Sequence, residues 1–464
     1  MMLSWQIAQR WRALRGQALP AAVMETARLH LLDAIGVGLA ASGSEVGAAY
    51  RDLGAQLAKG GPASVFGCAQ GAAAWDAALV NGGLIHSLEY DDTHTGSIVH
   101  GGAVMAAAAL AAGEAAGANG ADILGAYARG WEILVRFGLA APGGFQSRGF
   151  QITSVGGTLA AALIAADLGG LDEDQSVAAI GIALSQSSGV FEFLSNGSSV
   201  KSIHPGWAAH GGLLAAQFAR AGMTGPETAI DGKFGLFATF AGDTDAAARL
   251  GALLGDFGTR WHLLDAAFKF HPCCHYIHPF IEAAGLLAEQ GVTAENITRL
   301  ICRVPPGAAG IICEPWAAKQ SPTSPHAARW SLPMAVAARL AEGRVTLATF
   351  ETPFPEQTRN LAARIAWEPL HNAQFPSRFE AELLTELNDG RMLAVRVDDV
   401  YGNASRPASE ADIRQKFRAN VALALDDTAI AALEQSVADL DTAASLAAIS
   451  TALRARRPFP HAER

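Results

Sequence analysis

The chain has 464 residues, half of them hydrophobic, and a formal net charge of −10. This length is sufficient for two domains, and the negative charge, without any run of Lys or Arg, argues against a nucleic-acid partner. Five cysteines at irregular spacing form no disulfide framework, so we expect a reducing, cytoplasmic location.

Helical spacing of apolar residues dominates the first part of the chain. The N-terminal stretch MMLSWQIAQRWRALRG is spaced like an amphipathic helix and lacks the continuous apolar stretch of a secretion signal. Further helices are predicted at Ala22–Ala41, Ala73–Leu88, Gly102–Ala116, Ile123–Leu139, Thr158–Leu168 and Gln175–Leu184. The most apolar long segment, residues 103–117, is interrupted by Glu114, so we predict no membrane span and no membrane partner.

The pattern changes after His271. Residues 297–304 alternate between apolar and polar as in a strand. Arg378–Leu387 and Arg391–Val397 are predicted to be two strands of a hairpin, because Asn-Asp-Gly joins them. Helical spacing returns from Ser409 to Leu453, which indicates that the chain re-enters the first helical part.

These patterns predict a mostly α protein with two domains. The large domain is all-helical and comprises residues 1–268 and 405–464. A smaller α+β lid domain comprises residues 269–404. Much of the apolar content is alanine, whose small side chain lets helices pack closely, so we expect a body rich in Ala and Gly.

The segment HSLEYDDTHTGSIVH, residues 86–100, is dense in titratable side chains for a protein with so few charges. It contains His86, Glu89, Asp91, Asp92, Thr93, His94 and His100. Three interpretations are open: a solvated loop with caps and turns, a metal site, or acid/base catalysis by His100 beside a carboxylate. We favour the third, because adjacent acidic residues do not have a helical metal-ligand spacing.

Two of the six lysines lie among small and aromatic residues without an acidic neighbour. Lys201 lies in GSSVKSIHPGWAAHGG and Lys269 in AAFKFHPCCHYIHP. Both are candidates to bind substrate carboxylates; the alternative is that they are ordinary surface lysines. The second segment also holds Cys273 and Cys274, but it lacks the paired Cys-x-x-Cys units of structural zinc, which disfavours a metal there.

Four segments together resemble the MmgE/PrpD family, whose members include 2-methylcitrate dehydratase, cis-aconitate decarboxylase and iminodisuccinate epimerase. They are HSLEYDDTHTGSIVHGGA (86–103), KSIHPGWAAHGG (201–212), KFHPCCHYIHP (269–279) and RWSLPMAVAARLAEG (329–343). The resemblance implies a helical domain completed by the C-terminal helices, a smaller α+β lid, and a homodimer. It also implies an active site in the cleft between the domains.

The resemblance further implies which residues form the site. Glu89 stands where many members have an acidic residue, and Thr93, His100, Lys201 and Lys269 keep the family pattern. We therefore expect these five side chains to meet at the substrate.

Three positions depart from the family pattern. Gln151 replaces a histidine that many members carry, Cys274 stands where the decarboxylases have a histidine, and Met334 stands where they have a tyrosine. These departures count against cis-aconitate decarboxylation. Together with Thr93 and His204, the three residues are predicted to contact the substrate.

We predict an enzyme without metal or cofactor that abstracts a proton α to a carboxylate of a small polycarboxylic acid. The two lysines would stabilise the enolate-like charge. His100 is the predicted base, oriented by Glu89 or Asp92, and His275 would protonate a leaving hydroxyl. Dehydration of a 2-methylcitrate-like hydroxy acid is the favoured reaction. The alternatives are an epimerase of an iminodisuccinate-like amino polyacid, a cis-aconitate-type decarboxylase and a non-catalytic metabolite-binding protein.

Overall fold

A computed structural model describes residues 2–455 of the chain. Met1 and residues 456–464, which the predicted large domain includes, lie outside the described residues. The helices of the first part are α1 (Leu3–Leu14), α2 (Ala21–Ser42), α3 (Ala48–Leu57), α4 (Ala74–Ser87), α5 (Gly101–Ala116), α6 (Gly120–Ala140), α7 (Gly144–Ser147), α8 (Ile152–Leu168), α9 (Glu173–Gln186), α10 (Ile203–Arg220) and α11 (Ala246–Leu253). The N-terminal helix and the six further helices predicted in this part are confirmed, although α8 begins before its predicted start at Thr158.

The second part mixes helices with four strands. Its elements are α12 (His278–Glu289), β1 (Ile297–Val304), α13 (Pro306–Ile312), α14 (Trp316–Gln320), α15 (Pro325–Ala328), α16 (Leu332–Ala341), α17 (Glu356–Ala362), β2 (Ile365–Pro369), β3 (Ala381–Leu387) and β4 (Met392–Val397). The last helices of the described residues are α18 (Glu410–Val421), α19 (Asp427–Ala438) and α20 (Ala447–Leu453). Within residues 2–455, no helix is both long and apolar enough to cross a membrane.

The mostly α fold is confirmed, with one small mixed sheet of order β2-β1-β3-β4. β1 pairs in parallel with β2 and antiparallel with β3, and β3 pairs antiparallel with β4. The predicted hairpin is the β3–β4 turn, where Gly390 has a φ of +84°, which a glycine adopts without strain. β2 was not predicted, because IAWEP is short and its alternation is weak.

Two hydrophobic clusters organise the molecule. One, the helical body, contains core residues between Leu3 and Ala266 and between Phe417 and Leu453. The other, the sheet region, contains core residues between Cys273 and Val397. α18 packs against α2, so the C-terminal helices join the helical body. The predicted domain boundaries at residues 269 and 404 stay a prediction.

Small residues allow α10 and its neighbouring helices to pack closely. α10 packs against both α4 and α8. A Cβ atom on Gly206 of α10 would lie 2.1 Å from the carbonyl oxygen of Leu79, so any larger residue would separate α10 from α4. This close packing fixes the start of α10, which Lys201 precedes by two residues.

A buried ion pair joins α18 to α2 beneath the segment 86–100. Lys416 Nζ lies 2.7 Å from Asp33 Oδ1, donates to the carbonyl oxygen of Tyr90 at 2.9 Å, and lies 4.0 Å from the centre of the Tyr90 ring. Lys416 and Asp33 are both buried. Lys416 was not among the residues predicted from the sequence to have a special role.

Replacement of Lys416 by methionine is expected to lower the free energy of unfolding by about 3–5 kcal/mol, because Asp33 would stay buried without a cation. Urea denaturation measures this. The double variant Asp33→Asn/Lys416→Met should recover most of the loss, whereas Lys233→Met, at an exposed lysine, should leave stability unchanged. A single variant as stable as the parent would contradict the importance of this pair.

Candidate active site

Four helices begin at one cavity of about 370 Å3, which residues of both the helical body and the sheet region line. The helices are α5, α8, α10 and α12. A residue at or shortly before each helix start lines the cavity: His100, Gln151, Lys201 and His275. Helix N-termini present free N–H groups and a partial positive charge, so their convergence favours an anionic ligand.

Glu89 lies at the centre of the charged side of the cavity. Lys201 Nζ donates to both carboxylate oxygens of Glu89 at 2.6 Å. Lys269 Nζ donates to the backbone carbonyl oxygen of Glu89 at 3.1 Å and lies 4.0 Å from Oε2. All three residues are buried. Glu89 has a φ of +52°, which is uncommon for a residue other than glycine, so the ion pairs compensate a strained backbone.

A short backbone bridge brings Lys269 to Glu89. The Thr93 amide donates to the Ala267 carbonyl oxygen at 3.0 Å, and the Ala267 amide donates back to Thr93 at 2.7 Å. Lys269 follows two residues after this bridge. Lys201 comes from a separate segment, the 3₁₀ turn Ser199–Ser202 before α10. Three distant parts of the chain therefore meet at one carboxylate.

The two lysines control the ionisation of Glu89. Burial by itself raises the pKa of this carboxyl, but the positive charges of Lys201 and Lys269 outweigh burial and lower the pKa to about 2. Glu89 is therefore ionised at neutral pH. With two lysines and one carboxylate, the charged side of the cavity has an excess of one positive charge.

His100 is held neutral and in one tautomer. Burial lowers its pKa well below the usual value, and the charges of Lys269 and Lys201 lower it further. Nδ1 lies 3.0 Å from the Asp92 carbonyl oxygen and 3.0 Å from Thr93 Oγ1. Because a carbonyl oxygen only accepts, Nδ1 carries the proton and Nε2 carries the lone pair. The backbone of Asp92 and the hydroxyl of Thr93 thus orient the ring, rather than a carboxylate as predicted.

His275 and Cys274 line the cavity from the sheet region. Among the described residues, neither ring nitrogen of His275 has a hydrogen-bond partner. Burial, together with the charge of Lys269, keeps the pKa of His275 well below its usual value. Burial also raises the pKa of Cys274 to about 11, so the thiol stays protonated. Both side chains are neutral, and the imidazole of His275 can bond to a ligand.

Three of the predicted site residues lie behind the cavity lining. His204 donates from Nδ1 to the Gln151 side chain at 2.5 Å, so it supports a lining residue. Asp92 accepts from His30 Nδ1 at 2.7 Å and from the Gly102 amide at 2.9 Å, which holds the start of α5. Met334 is buried in the core of the sheet region. His204 and Met334 therefore support the cavity instead of lining it as expected, and Asp92 holds the start of α5 instead of orienting His100, whereas Thr93 and Gln151 do line the cavity.

The rest of the cavity lining is apolar and is formed mainly by aromatic residues that were not predicted from the sequence. They are Phe191, Phe193, Tyr276, Trp330, Phe375 and Phe379. Two signals were available: Tyr276 and Trp330 stand inside the family-like segments, and the other four are phenylalanines in short polar segments with little helical spacing. Lys201 Nζ lies 4.8 Å from the centre of the Trp330 ring, so this wall begins directly beside the charged side.

One group of described residues is close enough to share a metal ion, and it lies outside this lining. The ligand atoms of His94, His262 and Asp265 are within 4.8 Å of one another. The Ser97 amide donates to Nδ1 of His94, so the proton of that ring is on Nε2, and Arg260 already pairs with Asp265. Both contacts oppose a cation here.

Eight buried or partly buried histidines have lowered pKa values, with burial the largest cause of each. They are His86, His94, His100, His204, His271, His275, His278 and His326. The unfolded chain takes up these protons first as the pH falls through about 6.5, so the stability contributed by neutral histidines is lost below that pH.

We expect the free energy of unfolding to fall steeply between pH 7.5 and 5.5, by up to about 1.4 kcal/mol per pH unit for each histidine kept neutral. Asp33 and Asp91, whose pKa values burial raises, act in the opposite direction, because their carboxyls take up protons in the folded state before they do in the unfolded chain. Urea denaturation at the two pH values measures the effect. His371→Asn, at an exposed histidine, should not change the slope. Equal stability at both values would show that the folded protein protonates these rings.

Two family profiles match almost the whole chain. The MmgE/PrpD N-terminal domain matches residues 5–249, and the MmgE/PrpD C-terminal domain matches residues 271–442. The chain belongs to the MmgE/PrpD family. It is therefore an enzyme, a lyase or an isomerase, as MmgE/PrpD proteins are. The non-catalytic alternative is set aside.

Several MmgE/PrpD proteins are similar to this chain along most of its length. The cis-aconitate decarboxylase-like protein oryM of Aspergillus oryzae is 28% identical over 93% of both chains. The cis-aconitate decarboxylase of Homo sapiens is 28% identical, over 82% of this chain and 80% of its own. The cis-aconitate decarboxylase of Aspergillus terreus is 25% identical, over 91% of this chain and 90% of its own. These relatives favour the decarboxylase alternative over the predicted dehydratase.

Proposed function

We propose that the protein decarboxylates an unsaturated polycarboxylic acid of the cis-aconitate type. One observation carries the proposal: a buried group of two lysines and Glu89 adjoins a neutral histidine of fixed tautomer, in a chain similar to cis-aconitate decarboxylases. This arrangement supplies more positive than negative charge where a carbanion would develop, and it supplies a group that moves a proton.

The reaction breaks the bond between a methylene carbon and its carboxylate. Carbon dioxide leaves, and the electron pair shifts through the neighbouring double bond to the carbon that bears the second carboxylate. That carbon then takes up one proton. Lys201 and Lys269 are suited to bind substrate carboxylates and to stabilise the dienolate-like charge, which is larger in the transition state than in the substrate.

The proton is supplied by His100 in this proposal. In the free protein the lysines help to keep this imidazole neutral. An anionic substrate beside Lys201 and Lys269 compensates their charge and so raises the pKa of His100. The ring then takes a proton from solvent on its Nε2 and delivers it to the carbanion. Substrate binding and protonation of the catalytic group are thereby coupled.

Dehydration is the second candidate, and the neutral state of His100 favours it. An imidazole with a free lone pair abstracts an α-proton directly. Cys274 also stands where decarboxylases have a histidine, and its raised pKa makes it a poor acid. Dehydration of a hydroxy acid additionally needs a proton donor for the leaving hydroxyl, and His275 is neutral in the free protein. The homodimer and the cytoplasmic location stay predictions.

Proton NMR in deuterated water tests the proposal on the purified protein with cis-aconitate, alkyl-substituted unsaturated di- and tricarboxylates, citrate and 2-methylcitrate. Release of carbon dioxide with one deuterium in the product supports decarboxylation. An alkene formed from a hydroxy acid without carbon dioxide would replace the proposal by the dehydratase. α-Deuteration without any other change would replace it by an epimerase.

A further inference from the structure

The aromatic residues of the cavity form two groups that face one ligand space. Phe191, Phe193 and Trp330 form one group, with ring centres 5.6 Å and 6.3 Å apart along the series. Tyr276, Phe375 and Phe379 form the other, with ring centres 4.9 to 5.8 Å apart. These spacings are typical of packed aromatic side chains. The cavity therefore has two packed aromatic surfaces in its lining.

The cavity has fewer cationic side chains than a tricarboxylate has carboxylates. Lys201 and Lys269 are the only cations among the described lining residues, and Glu89 already accepts both hydrogen bonds from Lys201. A third carboxylate would have no further cation, since the rest of the lining consists of neutral polar side chains, such as Thr93, Gln151 and His275, and of aromatic and aliphatic residues. A carboxylate transferred there from water without a partner is strongly disfavoured, whereas an apolar group gains free energy on the same surface.

We infer that the substrate is a dicarboxylic acid with an apolar arm, such as an alkyl or aryl group, in the place of a third carboxylate. This inference rests on the proposed function for the charged side of the cavity and adds the substrate class. The two carboxylates bind at Lys201 and Lys269. The arm packs between Trp330 and Phe375, which belong to the two aromatic groups.

The contact of the Phe375 ring with Gly307 leaves room for this arm. Phe375 is partly exposed, and its ring approaches Gly307, where a Cβ atom would lie 2.7 Å from the ring carbon Cδ1. The absent side chain at Gly307 therefore lets the ring lie back against α13, and Gly307 itself lines the cavity. A larger residue at this position would push the ring or fill the space.

Binding of three saturated acids tests the inference without any reaction. Calorimetric titration compares succinate, tricarballylate and benzylsuccinate, which carry at one position hydrogen, a third carboxylate arm and an apolar arm. Benzylsuccinate is expected to bind at least about tenfold more tightly than succinate, since each buried methylene contributes about fourfold. Tricarballylate is expected to bind no more tightly than succinate. Tighter binding of tricarballylate than of benzylsuccinate would overturn the inference.

Two variants locate the arm. Phe375→Ala and, independently, Gly307→Val should each reduce the preference for benzylsuccinate over succinate by about tenfold or more. Phe234→Ala removes a phenylalanine that is 78% exposed and does not line the cavity, and it should keep the preference. An unchanged preference in both folded cavity variants would overturn the inference, and the wall would then serve to exclude water or to desolvate the leaving carboxylate.

The two proposals fail separately. Tight benzylsuccinate binding without release of carbon dioxide from any acid would leave the substrate class standing and remove the decarboxylation. Decarboxylation of cis-aconitate with weak benzylsuccinate binding would do the reverse.

Discussion

Replacement of Lys201 by methionine is expected to lower kcat by about 10²–10³-fold or more, because the variant loses the cation that stabilises the developing carbanion. The ammonium group donates to Glu89 in the free protein and lies beside the space where a carboxylate would bind. Methionine keeps most of the length of lysine and its unbranched apolar stem, without the charge. Single-turnover and steady-state rates with the substrate found by NMR measure the loss.

A stability control separates chemistry from folding. The Lys201→Met variant leaves Glu89 near only Lys269, so the folded state is expected to lose stability. The double variant Glu89→Gln/Lys201→Met removes both charges and should regain stability while staying inactive. Lys233→Met, at an exposed lysine, should match the parent in both respects. A folded Lys201→Met protein with near-parent activity would remove this residue from the mechanism.

Local patterns in the sequence were sufficient for most of the fold. β1 was predicted at residues 297–304 and is found at Ile297–Val304, because alternation of side chains reflects burial of one face. The hairpin followed from Asn-Asp-Gly, whose glycine supplies the required positive φ. β2 could not be predicted in this way, since IAWEP is too short to show a clear alternation and is defined as a strand only by its parallel pairing with β1.

The site, like the fold, was predicted only where local sequence carries the signal. Residue type identified Lys201, Lys269 and His100, because isolated cations and imidazoles in an apolar sequence need a function or a partner. The partner itself, Glu89, lies 112 residues from Lys201, and only the packing of α10 against α4 brings the segments together. Resemblance alone placed Met334 at the substrate, but it does not show which face of α16 is buried.

Burial changes the structural role of a charged residue, and the sequence alone does not show which residues are buried. Lys416 of α18 lies in a polar segment of the sequence but is buried against Asp33. The carboxylate of Asp92 accepts hydrogen bonds from His30 and from the first turn of α5. The aromatic wall is assembled from separate loops and short turns, so no periodic pattern marks it. The burial of Lys416 depends on packing of α18 against α2 within the helical body, and the aromatic wall depends on packing between the helical body and the sheet region.

Replacement of His100 by asparagine is expected to lower kcat by about 10²–10⁴-fold, the usual contribution of a positioned acid or base. Asparagine is suited to the test because its amide can still donate to the Asp92 carbonyl oxygen in place of Nδ1, but it does not titrate. His371→Asn, at an exposed histidine, is the matched control. A folded His100→Asn protein with parent activity would assign the proton transfer to another residue, of which His275 is the nearest in chemistry.

The pH dependence of kcat identifies the role of His100, because decarboxylation and dehydration need opposite protonation states. A decarboxylase needs the imidazolium in the substrate complex, so kcat falls as the pH rises through the pKa of His100 in that complex. A dehydratase needs the neutral ring, so kcat falls as the pH drops through that pKa. The free protein holds the pKa of His100 well below its usual value, and bound carboxylates raise it. Because kcat/KM reports the free enzyme and kcat the substrate complex, the pH-dependent limb due to His100 should lie at higher pH in the kcat profile than in the kcat/KM profile. In His100→Asn this limb should disappear, and a limb that persists would belong to another titrating group.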